Sequence, residues 1–69
     1  MTLGKRIRDL RKQNNLSQEQ LANKLGVTRQ SIYKYEADIC DPRLFIAVCI
    51  ADMFGVTLDY LARGDKNEV

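Results

Sequence analysis

The chain has 69 residues, 45% of them hydrophobic and 29% charged, with a formal net charge of +2 and no histidine. That describes one small globular domain: too apolar for a disordered chain, too short to enclose much of a catalytic cleft, and lacking any run near the roughly 18 apolar residues that cross a bilayer. A chain of this size hides only about 60% of its unfolded surface on folding, so a partner would help to stabilise it.

Five helices are predicted. Leu3, Ile7 and Leu10 fall at i, i+4 and i+7, one face of a helix that turns Lys5, Arg8, Asp9 and Lys12 outward. Asn14-Asn15 breaks that pattern. Ser17 stands as the cap of a second helix, with Gln20 where a capping box takes Gln or Glu. Leu21, Ala22 and Leu25 give this helix its apolar face, and Gly26 follows where a left-handed residue commonly ends a helix. Thr28 caps a third helix, in which Ile32 and Tyr35 point inward while Gln30, Tyr33 and Lys34 point outward. Residues 37–41 form a loop. Asp41 and Pro42 are expected to cap and open a fourth helix, which runs to Phe54 before Gly55. Thr57 caps a fifth from Leu58 to about Arg63, Gly64 closes it, and residues 65–69 read as a flexible tail. No segment alternates with period two. The fold class is therefore all-α, a single domain over 1–69, with a helix-turn-helix at about 17–36 and helices four and five at about 42–63.

Charge is distributed unevenly. Residues 1–36 hold eight basic and three acidic residues, a net +5, and residues 37–69 hold three and six, a net −3. A basic half suggests a polyanionic partner. Cys40 and Cys49, without histidine, cannot complete a four-ligand zinc site within one chain, so no metal and no cofactor is expected. They read as reduced thiols in a reducing compartment, the other reading being a bridge between two chains. The first residues carry no apolar stretch of signal-peptide type, which points to the cytoplasm. There is no glycine-rich phosphate loop and no carboxylate pair in an evident pocket, so no enzyme is expected.

The link Gly26-Val27-Thr28 carries the functional signal. A short glycine-containing turn between two short helices is the mark of a helix-turn-helix. Ala22 is small where the two helices approach, and Leu21, Leu25, Val27 and Ile32 lock them together. The free face of the third helix must then be polar and long enough to reach base edges. Arg29, Gln30, Ser31 and Lys34 meet that need.

On these residues the chain resembles the phage-repressor and Cro-type helix-turn-helix family. The resemblance rests on Ser17-Gln18-Glu19-Gln20-Leu21-Ala22, Gly26 through Ile32, Tyr35-Glu36, Pro42-Arg43-Leu44, Ile50-Ala51, Phe54-Gly55-Val56 and Leu58-Asp59-Tyr60-Leu61. It covers about residues 3–64. It implies a compact five-helix, lambda-repressor-like domain that places its third helix in the major groove of duplex DNA. It points to Gln18, Arg29, Gln30 and Lys34 as base- or phosphate-facing positions, and to a partly buried structural ion pair between Arg11 and Glu36.

Side-chain chemistry agrees with that implication. Arg pairs with guanine and Gln with adenine. Ser17 stands where free amides at the start of the second helix can meet a phosphate. Base contacts are thus expected from Gln18, Arg29, Gln30, Ser31 and Lys34, and phosphate contacts from Ser17, Thr28, Tyr33 and Arg43.

Three departures from the family stand out. Ala37-Asp38 replaces a pair that usually contains glycine, although Asp tolerates a left-handed conformation better than most residues. Arg43 replaces a small capping residue, which frees it for phosphate. The fourth helix has ten apolar residues in the eleven from Leu44 to Phe54. If Leu44, Ala47, Ile50, Ala51 and Phe54 serve the core, then Phe45, Cys49 and Met53 need another partner, joined by Ile39. The expectation is a homodimer acting as a repressor on an inverted-repeat operator. The alternative is a protein-binding module, such as the antitoxin partner of a toxin-antitoxin pair, with DNA binding secondary.

Overall fold

The computed structural model describes residues 2–64, which form α1 (Leu3–Gln13), α2 (Gln18–Leu25), α3 (Arg29–Glu36), α4 (Leu44–Phe54) and α5 (Leu58–Arg63). Hydroxyl side chains start four of these helices. Thr2, Ser17, Thr28 and Thr57 accept hydrogen bonds from the backbone amides of Lys5, Gln20, Ser31 and Tyr60 respectively. Each such cap satisfies one of the amides that a helix start leaves unpaired. Ser17 and Gln20 complete a reciprocal capping box. Gly26, Gly55 and Gly64 end their helices in the left-handed region at φ of 72°, 67° and 75°.

The apolar faces meet in one core. Ile7, Leu21, Ile32, Ile50 and Leu61 are fully buried, one from each helix, and Leu10, Ala22, Ile46 and Ala51 fill between them. α2 and α3 pack against each other, α1 lies on α3 and α5, and α4 meets α2 and α5. No helix among the described residues is long and apolar enough to cross a membrane.

Two polar clamps hold α1 in place. Asp38 sits in the left-handed region at φ 59°. Its carboxylate accepts the Gly4 amide at 3.0 Å and the Thr2 hydroxyl at 2.6 Å. A carboxylate at the start of α1 also complements the positive end of the helix dipole. On the other side, buried Arg6 donates from Nε to the Leu61 carbonyl at 2.8 Å and from Nη2 to the Ala62 carbonyl at 2.9 Å. Those carbonyls belong to the last turn of α5, where a cation is favoured.

The fourth helix differs from expectation. It begins at Leu44, not Pro42, and its N-cap is Arg43, which makes no side-chain capping bond; Asp41 does not cap it. Pro42 is buried ahead of the helix, and the extended Arg43 (φ −62°, ψ 160°) delays its start. Leu44, expected in the core, is 70% exposed in the overhanging first turn, and Ile46 takes the core position instead. Ala47 and Phe54 are half-buried and pack against the core rather than within it. The tail expected at 65–69 lies outside the described residues.

The start of α1 leaves no room for a side chain at position 4. A Cβ on Gly4 would stand 2.7 Å from both the Asp38 carboxylate and the Glu36 carbonyl, and would also press on the Tyr35 carbonyl. Gly4→Ala should therefore cost about 1–3 kcal/mol, as overpacking does. Thermal unfolding followed by circular dichroism should show a midpoint lower by several degrees. An unchanged midpoint would mean that α1 shifts freely against the end of α3.

Candidate nucleic-acid interface

α3 is fixed by charge as well as by packing. Arg11 on α1 grips Glu36 at the end of α3 in a two-pronged pair, Nε to Oε2 at 2.7 Å and Nη2 to Oε1 at 3.0 Å. The two side chains are only 10% and 5% exposed. Arg11 Nη1 also donates to the Leu16 carbonyl at 2.8 Å, just before α2. Gln18, in the first turn of α2, donates from Nε2 to Glu36 Oε1 at 3.2 Å. Three helices thus converge on one carboxylate. A bidentate guanidinium–carboxylate pair constrains direction as well as distance, so the roll of α3 is set.

The turn between α2 and α3 is fixed locally. Gly26 takes the left-handed conformation, the Val27 amide donates to the Ala22 carbonyl at 3.0 Å, and Val27 packs against the core. Thr28 then opens α3. Its Oγ1 accepts the Ser31 amide at 3.1 Å and lies 3.0 Å from the Ser31 hydroxyl. With Ile32 buried and Tyr35 half-buried, the remaining face of α3 projects outward.

Arg29, Gln30, Tyr33 and Lys34 occupy that exposed face. None of their side chains makes a hydrogen bond or ion pair with another described residue. The first turn of α3 holds no acidic residue. The face is therefore cationic and unpaired, with donors and acceptors at the ends of long side chains.

The other expected site residues are placed differently. Ser31 is half-buried with its hydroxyl turned back to Thr28, so these two form a cap rather than part of the open face. Gln18 is half-buried and directed to Glu36. Ser17 is exposed at the start of α2, its hydroxyl accepting the Gln20 amide. Arg43 is exposed ahead of α4, beside a groove shared with Val27, Thr28, Ser31 and Phe45. Ile39 is exposed, Phe45 is 72% exposed, Cys49 is half-buried and Met53 lies at the edge of exposure. Phe45 borders the groove beside Arg43, and Met53 lines a depression with Asn14, Leu16, Lys24 and Phe54. Leu44 and Val48, which the sequence reading left out of the patch, join Phe45 on the open side of α4.

Sequence reasoning missed two anchoring residues. Arg6 was counted as part of a basic half, and Asp38 as a loop residue. The signal for Asp38 was a helix-disfavoured glycine in the first turn of α1, which marks a close approach by another backbone. No comparable signal flagged Arg6.

The fold and this face define a helix-turn-helix domain of repressor type. Residues 7–61 match the family described as Helix-turn-helix, and the chain belongs to that XRE-like family. It is 37% identical over 62 residues to the HTH-type transcriptional regulator YqaE of Bacillus subtilis, covering 90% of this chain and 53% of YqaE. It is 38% identical over 66 residues to the HTH-type transcriptional activator BcrR of Enterococcus faecalis, covering 96% of this chain and 32% of BcrR. The chain thus spans about half, or less, of the length of these relatives. Among solved structures it superposes on the P22 c2 repressor in complex with a synthetic operator, with a TM-score of 0.89 and 28% identity. That match covers 94% of this chain and 98% of the repressor chain.

Breaking the central pair tests its structural weight. Glu36→Ala leaves Arg11 buried without its counter-ion and should cost about 3–5 kcal/mol, enough to unfold much of a domain this small. The double variant Arg11→Met, Glu36→Leu should be more stable than that single variant, because it leaves no lone charge. Urea titration of all three proteins reads the order, and a Glu36→Ala midpoint equal to the parent's would contradict it.

Proposed function

We propose that this chain is the DNA-binding domain of a sequence-specific transcriptional regulator, which reads the major groove of duplex DNA with α3. The observation that carries the reading is the set of three unpaired, exposed side chains, Arg29, Gln30 and Lys34, on a helix whose roll is locked from behind. Arg29 has the fork geometry for guanine O6 and N7, and Gln30 the paired donor and acceptor for adenine N6 and N7. Lys34, one turn further along, serves a base edge or a phosphate. Gln18, Ser17, Tyr33 and Arg43 flank the face and suit backbone contacts, which set register rather than sequence. Thr28 and Ser31 support the start of α3 and contribute at its edge. The family membership favours the same reading. Two relatives carry the description of transcriptional regulators, and the P22 c2 repressor was solved on an operator.

The domain acts as a homodimer in this reading. Ile39, Leu44, Phe45 and Val48 are exposed apolar side chains and Cys49 is half-buried, and large apolar side chains left to water on and beside one helix suit a partner surface. Met53, as exposed as Val48 and two turns beyond Phe45 on α4, extends that contact. A two-fold dimer presents two copies of α3 to inverted half-sites about 34 Å apart, and occupying such a site blocks it, which is repression. The descriptions of the relatives above do not favour the antitoxin reading.

Selection of bound duplexes from a random pool should return a palindromic site. Against that site, Arg29→Ala should lose roughly tenfold or more in affinity while binding to scrambled duplex changes far less. Equal selectivity in variant and parent would remove Arg29 from the reading face. Phe45→Glu should halve the mass measured by sedimentation and weaken binding to the palindrome, whereas a parent-like mass would remove Phe45 from the dimer contact.

A further inference from the structure

A cleft of about 280 Å³ opens between α1, the start of α2 and α3, lined by Arg8, Arg11, Gln18, Tyr33, Glu36 and Ala37. Its floor is electrically balanced. Arg11 and Glu36 face each other at 2.7 Å, nearly out of reach of solvent, and Gln18 supplies a further hydrogen bond to the carboxylate. The charge left over is on the rim. Arg8 is exposed on α1, and Tyr33 is 53% exposed on α3. Neither side chain makes a hydrogen bond or ion pair with another described residue.

We propose that this cleft seats one backbone phosphodiester of the duplex, gripped from α1 by the Arg8 guanidinium and from α3 by the Tyr33 hydroxyl. The inference rests on the reading of α3 given above. A phosphodiester carries one negative charge and unesterified oxygens that a guanidinium fork meets in a bidentate manner. The Tyr33 hydroxyl donates from the opposite rim. Gln18 gives one N–H of its amide to Glu36 and retains a second for the same oxygens. Because Glu36 is only 5% exposed and already paired, it presents little negative charge to an incoming anion.

Position selects a duplex over a small free anion. Tyr33 lies three residues after Gln30 and next to Lys34, so the cleft borders the base-reading face of the same helix. A single rim cation holds a free anion weakly in water. A polyanion already docked by α3 delivers its phosphate to the cleft without a separate binding event, and Arg8 thereby fixes how far α3 rolls into the groove. Arg8 is a positioning residue and carries no sequence preference.

The test is a salt series on the full chain with the selected duplex and a scrambled one. Each phosphate neutralised contributes about 0.9 to the slope of log affinity against log salt. Arg8→Gln should lower the slope by about that amount on both duplexes and leave the ratio of their affinities unchanged. Tyr33→Phe should weaken binding to both with no change in slope. Lys24→Gln removes an equal charge outside the cleft, from a depression lined by Met53 and Phe54, and should leave the slope as in the parent. An unchanged slope for Arg8→Gln, or an equal drop for Lys24→Gln, would overturn the proposed seat while leaving the α3 reading intact. A parent chain that binds no duplex at low salt would overturn both.

Discussion

The arrangement of the domain depends on one carboxylate. Glu36 closes the last turn of α3 and receives Arg11 from α1 and Gln18 from α2. Apolar packing alone would hold α3 near its neighbours, but packing is nearly indifferent to a small roll about the helix axis. A two-pronged ion pair is not, because both N–H vectors must meet both oxygens. Burying two ions in a domain this small costs desolvation that a pair of apolar side chains would avoid. What the pair provides is a fixed direction for Arg29, Gln30 and Lys34, two turns or less from the anchor.

Much of this was legible in the sequence because it is local. Ser, Thr and Gly mark helix ends through hydrogen bonds that span three or four residues, and those boundaries at α2, α3 and α5 appear where Ser17, Thr28, Thr57, Gly26 and Gly64 predict. The start of α4 was not legible, because the local signals Asp41 and Pro42 compete with the burial of Pro42 beneath the domain. The apolar pattern of α4 was equally ambiguous. With nearly every position apolar, periodicity cannot say which side faces the core, and the structure turns Ile46 inward and Leu44 outward. The partners of Arg6 and Asp38 lie 55 and 34 residues away in sequence, and only Gly4 in the first turn of α1 pointed to the second of them.

Charge shows the same division between local and distant. Of the eight basic residues in the first 36, Arg6 and Arg11 are buried and hold the protein's own carbonyls and carboxylate. The other six are exposed, and among them Arg29 and Lys34 share the free face of α3. Net charge therefore overstated the surface available to a polyanion, and burial corrects it. Ile39, Leu44, Phe45 and Val48 are exposed apolar side chains, and Phe45 shares a groove with Thr28, Ser31 and Arg43, so an apolar surface begins beside the start of α3.

The most direct test of the account is a titration of nitrogen-15-labelled chain with a selected duplex, followed amide by amide. The account requires the largest shifts at the start of α3, at Arg29, Gln30 and the residues of the next turn, with smaller ones at the start of α2. If the α3 amides stay in place while the duplex binds through another surface, the locked face is not the reading face.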